Sequence, residues 1–236
     1  METKYIIAIA VAAVVLLLIS LLTANRKLMR LFKKYDQVIA KSGFSTQQFL
    51  IAARDTLGVD KLTFARIKGK LTDCYIPSKR VIALSDSTYD KRSVAAISVA
   101  AHEFGHALQH KNSPVSFTII RALGFISRVF NKFVLPAVIA AVVMLIFETT
   151  RNTAIIMLWS ALAVVVAGFL FRIFTIPLEY DASRRAKEVL AKYHVFDQEE
   201  QRIAKKILAS AAYTYVAEFI SSIIGLNFIR RRIIHK

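Results

Sequence analysis

Apolar residues in this chain fall into three long runs separated by shorter periodic stretches. Residues 5–23 carry no charge and are long enough, at 1.5 Å per helical residue, to cross about 30 Å of hydrocarbon. The run at 133–147 is similar but short unless the helical pattern at 117–130 extends it, and 154–171 forms the third. Each predicts a transmembrane helix. A cleaved signal peptide competes for the first. Its apolar core is longer than such peptides use, however, and Asn25-Arg26-Lys27 follows directly, so it reads as an uncleaved anchor.

The remaining pattern predicts soluble elements. Residues 29–40 and 45–57 have amphipathic helical spacing, with Ser45 and Gln48 forming a capping box and Gly43 and Gly58 marking the ends. Residues 62–85 alternate and favour β-branched and aromatic types between the turns Lys68-Gly69-Lys70 and Pro77-Ser78-Lys79. They predict two or three short strands, whose edge either pairs with an extended peptide or only packs on helices. An alanine-rich helix opens at Ser93 and meets no proline before Pro114. Pro177 predicts the start of a helix reaching Lys192, with Glu179 and Asp181 in its first turn. A further helix is expected at 197–208. The apolar stretch 209–229 contains Glu218, Ser221 and Ser222 and reads as a helix packed in the site rather than a fourth span.

Composition and charge sharpen this picture. A 56% hydrophobic content over 236 residues exceeds that of an ordinary soluble domain. The formal charge is +17, and its cations cluster. Arg26, Lys27, Arg30, Lys33 and Lys34 follow the first run, Arg172, Arg184, Arg185 and Lys187 the third, and Arg230 to Arg232 lie near the C-terminus. The loop 148–153 is neutral. By the positive-inside rule the N-terminus and that loop face outward, and most of the chain faces the cytoplasm of a cell (plasma or inner) membrane. The excess then reads as contact with anionic lipid headgroups. No aromatic–basic interleaving points to nucleic acid as a partner. The single cysteine, Cys74, makes no intramolecular disulfide, in keeping with a cytoplasmic-facing domain.

Chemistry enters with His102-Glu103-Phe104-Gly105-His106. On a helix, two imidazoles at i and i+4 lie roughly 6 Å apart on one face, close enough for both to reach one zinc ion. Zinc held by two histidines and one further residue leaves a position open for water, and the adjacent glutamate is suited to take that water's proton. The expected reaction is amide hydrolysis on a polypeptide, with one Zn²⁺ per chain. A third ligand must lie on the same side of the membrane, so an even number of spans separates it from His106. Glu179 satisfies this. Asp181 is the alternative, but two residues on it points elsewhere, and it is expected to support the site or pair with Arg184 or Arg185. Tyr213 and Tyr215 are candidates to steady a tetrahedral oxyanion, against plain aromatic packing. His110 and His194 are assigned no role. A thiolate is a good zinc ligand, so Cys74 either closes the open position and holds the enzyme latent or is a small buried hydrophobe.

The sequence resembles the YugP-type membrane-bound neutral zinc metallopeptidases, relatives of the HtpX-like and CAAX-processing peptidases. The matching islands are Gly69-Lys70-Leu71-Thr72-Asp73, Leu84-Ser85, Ser93 to Ala96, Ala100 to Gln109, Pro177 to Ser183, and Ala211 to Ala217, in the expected order across nearly the whole chain. The resemblance implies a zinc cage of His102, His106 and Glu179 with Glu103 as general base. Departures occur where such sequences read Leu-Thr-Asp-His-Tyr-Asp-Pro, since here Cys74 replaces the histidine and Ile76 the aspartate. Ser183 stands where the wider group has an aspartate.

The fold expected is that of a mostly α integral membrane protein with three transmembrane helices and a zincin-like helical core carrying a small β-hairpin or sheet. It divides into an anchor (1–25), the first part of the catalytic domain (26–131), a transmembrane hairpin (132–175) and the second part (176–236). Two other functions fit the same residues: a catalytically silent, metal-stabilised membrane scaffold, and a zinc hydrolase acting on a lipid or another amide. Oligomeric state, cleavage preference and physiological substrate leave no mark on the sequence.

Overall fold

The computed structural model describes residues 26–223, without the side chains of 127–128, 131, 169, 171–174 and 214–223. The anchor expected at 5–23 and the end of the 209–229 stretch lie outside these residues. The chain is mostly helical. In order come a helix at 26–35 (α1), Thr46–Thr56 (α2), Thr63–Ile67 (β1), Cys74–Ile76 (β2), Val81–Ser85 (β3), Val94–Asn112 (α3), Pro114–Met144 (α4), a 3-10 turn at Glu148–Thr150, Arg151–Lys192 (α5) and Gln198–Ile223 (α6). These form two compact units, one taking the chain as far as Phe117 together with Leu178–Tyr215, the other built on Thr118–Pro177.

The first unit is organised around α3. Ser93 caps it by accepting from Ala96 N, as the sequence predicts, and fourteen of its residues are buried, so it is packed on all sides rather than along one stripe. Phe104 and Ile97 join Phe49 and Leu50 of α2, Ile82 and Leu84 of β3, and Ile207 and Leu208 of α6 in one core. Burying each such side chain stabilises the fold by about 1.5–3 kcal/mol. The predicted capping box at Ser45 and Gln48 is present on α2.

The strands form a mixed sheet in the order β1-β3-β2, with β1 parallel and β2 antiparallel to β3. Asp73 fixes the β2–β3 pairing from the side: its carboxylate accepts from Ser85 N at 2.8 Å, Ser85 Oγ at 2.9 Å and the Thr88 hydroxyl.

Two boundaries differ from the sequence pattern. The helix expected at 29–40 ends at residue 35, because the chain beyond it is used elsewhere: Asp36 accepts from Ser93 Oγ, Val38 O accepts from Val94 N, and Ile39 bridges to Ser93. Tertiary pairing at the start of α3 outweighs local helical preference. Pro177, expected to begin a helix, instead lies inside the 42-residue α5. A proline removes one helical hydrogen bond, a loss the strongly helix-forming residues that follow it tolerate. Glu179 and Asp181 are therefore not in a first turn, and the helix dipole does not explain them.

The apolar pattern at 117–130 and most of that at 133–147 merge into α4, which ends at Met144, carries Pro136 and enters the second unit at Thr118. Among the described residues, Glu148–Gly168 is the helical segment long and apolar enough to cross a membrane; Pro114–Ile126 and Lys132–Met144 are apolar but shorter.

Candidate metal centre

His102 and His106 stand one turn apart on α3, and Glu179 reaches them from α5. The two helices approach closely because residue 105 has no side chain: a Cβ there would lie 2.3 Å from Ala182 O. His102 Nε2 and His106 Nε2 lie 3.3 Å and 3.2 Å from Glu179 Oε2. One donor atom from each residue lies within 4.8 Å of the others, and all three residues are buried. In a tetrahedral site with zinc–ligand bonds of 2.0–2.2 Å, adjacent ligand atoms are about 3.4 Å apart. Both separations match that edge, and a nitrogen–nitrogen–oxygen donor set suits zinc. The three residues are thus placed to bind one metal ion.

Electrostatics agrees with this arrangement. Burial alone would raise the Glu179 carboxyl, but the facing His106 and His102 imidazoles outweigh it and hold it well below the usual carboxylate range. A buried anion is thereby kept ionised, as a ligand must be.

The outer nitrogens of both imidazoles are engaged too. His102 Nδ1 is 3.1 Å from Ser183 Oγ, and His106 Nδ1 is 2.9 Å from Gln109 Oε1. Gln109 Nε2 donates to Leu178 O at 2.7 Å and to Asp181 Oδ2 at 2.8 Å, which fixes which end of the amide faces His106. Gln109 Oε1 can only accept, so His106 Nδ1 is the donor in that contact, which leaves Nε2 as the atom that faces Glu179. Asp181 is also bonded to Arg184 and Arg185. Burial opposes its ionisation, but the bonds from Arg185, Gln109 and Arg184 bring it down to about 2. It acts behind the histidines rather than among the ligands. Replacing Gln109 by Leu or Ser183 by Ala is expected to weaken zinc binding roughly ten- to hundredfold, measured by competition with a chromogenic chelator.

Glu103 is buried, and its Oε2 accepts from Tyr75 N at 2.7 Å. The edge strand β2 therefore turns its backbone toward this carboxylate. Cys74 is half-buried on the same strand, and its sulfur is not among the convergent donors. Tyr213 is 40% exposed, unlike the buried trio. The Tyr215 side chain lies outside the described residues.

Sequence spacing alone did not single out Gln109, Tyr75 or His110. The first follows His106 by three residues and Ser183 follows Glu179 by four, helical spacings that mark groups on a shared face. Tyr75 N–H is a backbone donor and leaves no trace in residue type.

With this geometry in view, comparison with known proteins is decisive. A family described as "Putative neutral zinc metallopeptidase" matches residues 7–232. The chain belongs to this family. It is also 33% identical over 195 residues to "Putative membrane protease YugP" of Bacillus subtilis (strain 168), covering 83% of each chain. No solved structure matches it. The zinc metallopeptidase family and the three convergent donors agree on the cofactor.

Proposed function

We propose that this chain is a membrane-embedded zinc metalloendopeptidase that hydrolyses peptide bonds of membrane or cytoplasmic polypeptides. The observation that carries this reading is the convergence of His102, His106 and Glu179 beside a second buried carboxylate, Glu103. Bound zinc supplies a Lewis acid that acidifies water and polarises a carbonyl. His102 and His106 present their Nε2 atoms and Glu179 one carboxylate oxygen to hold it. Tyr75 N–H engages Glu103 Oε2, and Oε1 has no hydrogen-bond partner among the described residues. Glu103 Oε1 is thus the atom that takes the proton of the attacking water and delivers it to the leaving amine nitrogen. The surrounding buried face of α3 excludes bulk solvent and strengthens these interactions.

The membrane reading rests on the relative's description, on the apolar runs and on Glu148–Gly168, of which only 17% is buried. A core helix would be largely covered; this one presents Ile156, Trp159 and Leu162 outward, as a lipid-facing helix would. Three spans, an outward N-terminus, a cytoplasm-facing site and contact of the basic clusters with anionic headgroups complete the proposed topology.

Detergent-purified protein is expected to cleave fluorescently labelled casein, to lose that activity on treatment with a zinc chelator, and to regain it with one equivalent of Zn²⁺. Cleavage that persists in fully demetallated protein would overturn the reading, as would hydrolysis confined to lipid substrates.

A further inference from the structure

Beside the site, and outside the ligand set, Tyr75 is held at both its main chain and its side chain. Its backbone N–H binds Glu103, and its phenol oxygen lies 2.8 Å from His110 Nδ1. Glu103 and His110 are seven residues apart on α3, almost two full turns, so they occupy one stripe about 10 Å apart along the axis. Tyr75 therefore lies along the helix as a strut, pinned by its main chain at one end and its side chain at the other. Phe117 closes the cluster from below. Its ring stacks on His110 at 5.4 Å and lies 6.2 Å from Tyr75 and 6.0 Å from His106. Tyr75 and Phe117 are almost fully buried. Burial raises the Tyr75 phenol and lowers His110, so both remain neutral near pH 7, and the contact is a neutral hydrogen bond in a desolvated setting.

The strut matters because β2 is only three residues long and lies at the sheet edge. A strand this short has little pairing of its own to resist fraying. Asp73 ties the start of β2 to β3, whereas the phenol–imidazole contact ties β2 to α3, the helix that carries Glu103. From this geometry we infer that Tyr75 and His110 are positioning residues: the phenol–imidazole bond locks β2 onto α3 so that Tyr75 N–H holds the Glu103 carboxylate in its working orientation. The inference rests on the peptidase reading above, in which Glu103 is the base. It assigns the strand a second task, since the same edge that could meet an extended substrate fixes the group that acts on it.

The test uses full-length, zinc-loaded protein in detergent and two readouts. His110→Phe is expected to lower kcat on casein roughly ten- to hundredfold with zinc content unchanged, because a displaced base costs rate. Backbone hydrogen exchange in residues 72–78, followed by mass spectrometry, is expected to rise in the same variant, with or without metal. His110→Gln keeps a polar partner for the phenol and should restore both readouts substantially. If His110→Phe does not yield folded protein, Tyr75→Phe removes the same bond at its other end. Unchanged kcat, unchanged exchange, or His110→Gln behaving like His110→Phe would each overturn the inference. Absence of any peptidase activity in the unaltered chain would sink the proposed function itself, and the inference with it. The exchange measurement, which needs no activity, tells the two failures apart.

Discussion

Glu103→Gln is expected to lower kcat about 10²- to 10⁴-fold while the protein retains one zinc per chain by elemental analysis. Glutamine keeps the shape of the side chain and its carbonyl can still accept from Tyr75 N–H, so β2 stays attached to α3. What is lost is the ability to take up a proton. Because Glu103 is not one of the three convergent donors, zinc affinity should change little. This pairing of near-full metal content with failed turnover separates a hydrolase from a metal-stabilised scaffold, for which the substitution would be silent. Loss of zinc in parallel with activity would instead indicate that Glu103 is a ligand.

The second large effect is expected at a residue with no functional group. Gly105→Ala places a methyl 2.3 Å from Ala182 O and 3.1 Å from Ala182 Cα, atoms of a helix backbone that cannot rotate away. The helices α3 and α5 must separate by roughly 1 Å, a strain of about 1–3 kcal/mol for an overpacked core. Glu179 rides on the displaced helix, so the 3.2–3.3 Å separations that match a zinc site would open. Catalysis is expected to fall at least about a hundredfold and thermal stability to drop, with zinc affinity reduced even though no ligand has been altered. Chelator competition on folded Gly105→Ala protein checks this. Wild-type affinity would show that the helix contact does not set the ligand geometry.

Much of this centre was legible in the sequence because helical spacing is local. The i, i+4 histidines, the Ser93 cap and the Ser45–Gln48 box depend on neighbours within one turn, and each appears where expected. Glu179 required a different argument, that of topology, and the structure brings it beside both imidazoles. Asp181 reaches Arg184 and Arg185 at i+3 and i+4, again a local relation. The misses were tertiary. The end of α1 is set by pairing with the chain around Ser93, and Pro177 is absorbed into a helix that extends far on either side of it. Gln109 becomes informative only once Leu178 and Asp181 are known to face it.

The three-residue β2 carries a further consequence. Side chains alternate along a strand, and Tyr75 sits opposite Ile82 with Cys74 and Ile76 opposite Ala83 and Val81. Sliding this pairing by one position would rotate the phenol to the other face and offer a different amide to Glu103. The tight 77–80 connection, with Arg80 in the left-handed region at φ 50°, sets that frame. Inserting or deleting one residue there should therefore silence the enzyme more thoroughly than any point change within the loop, although the loop itself touches no reacting atom.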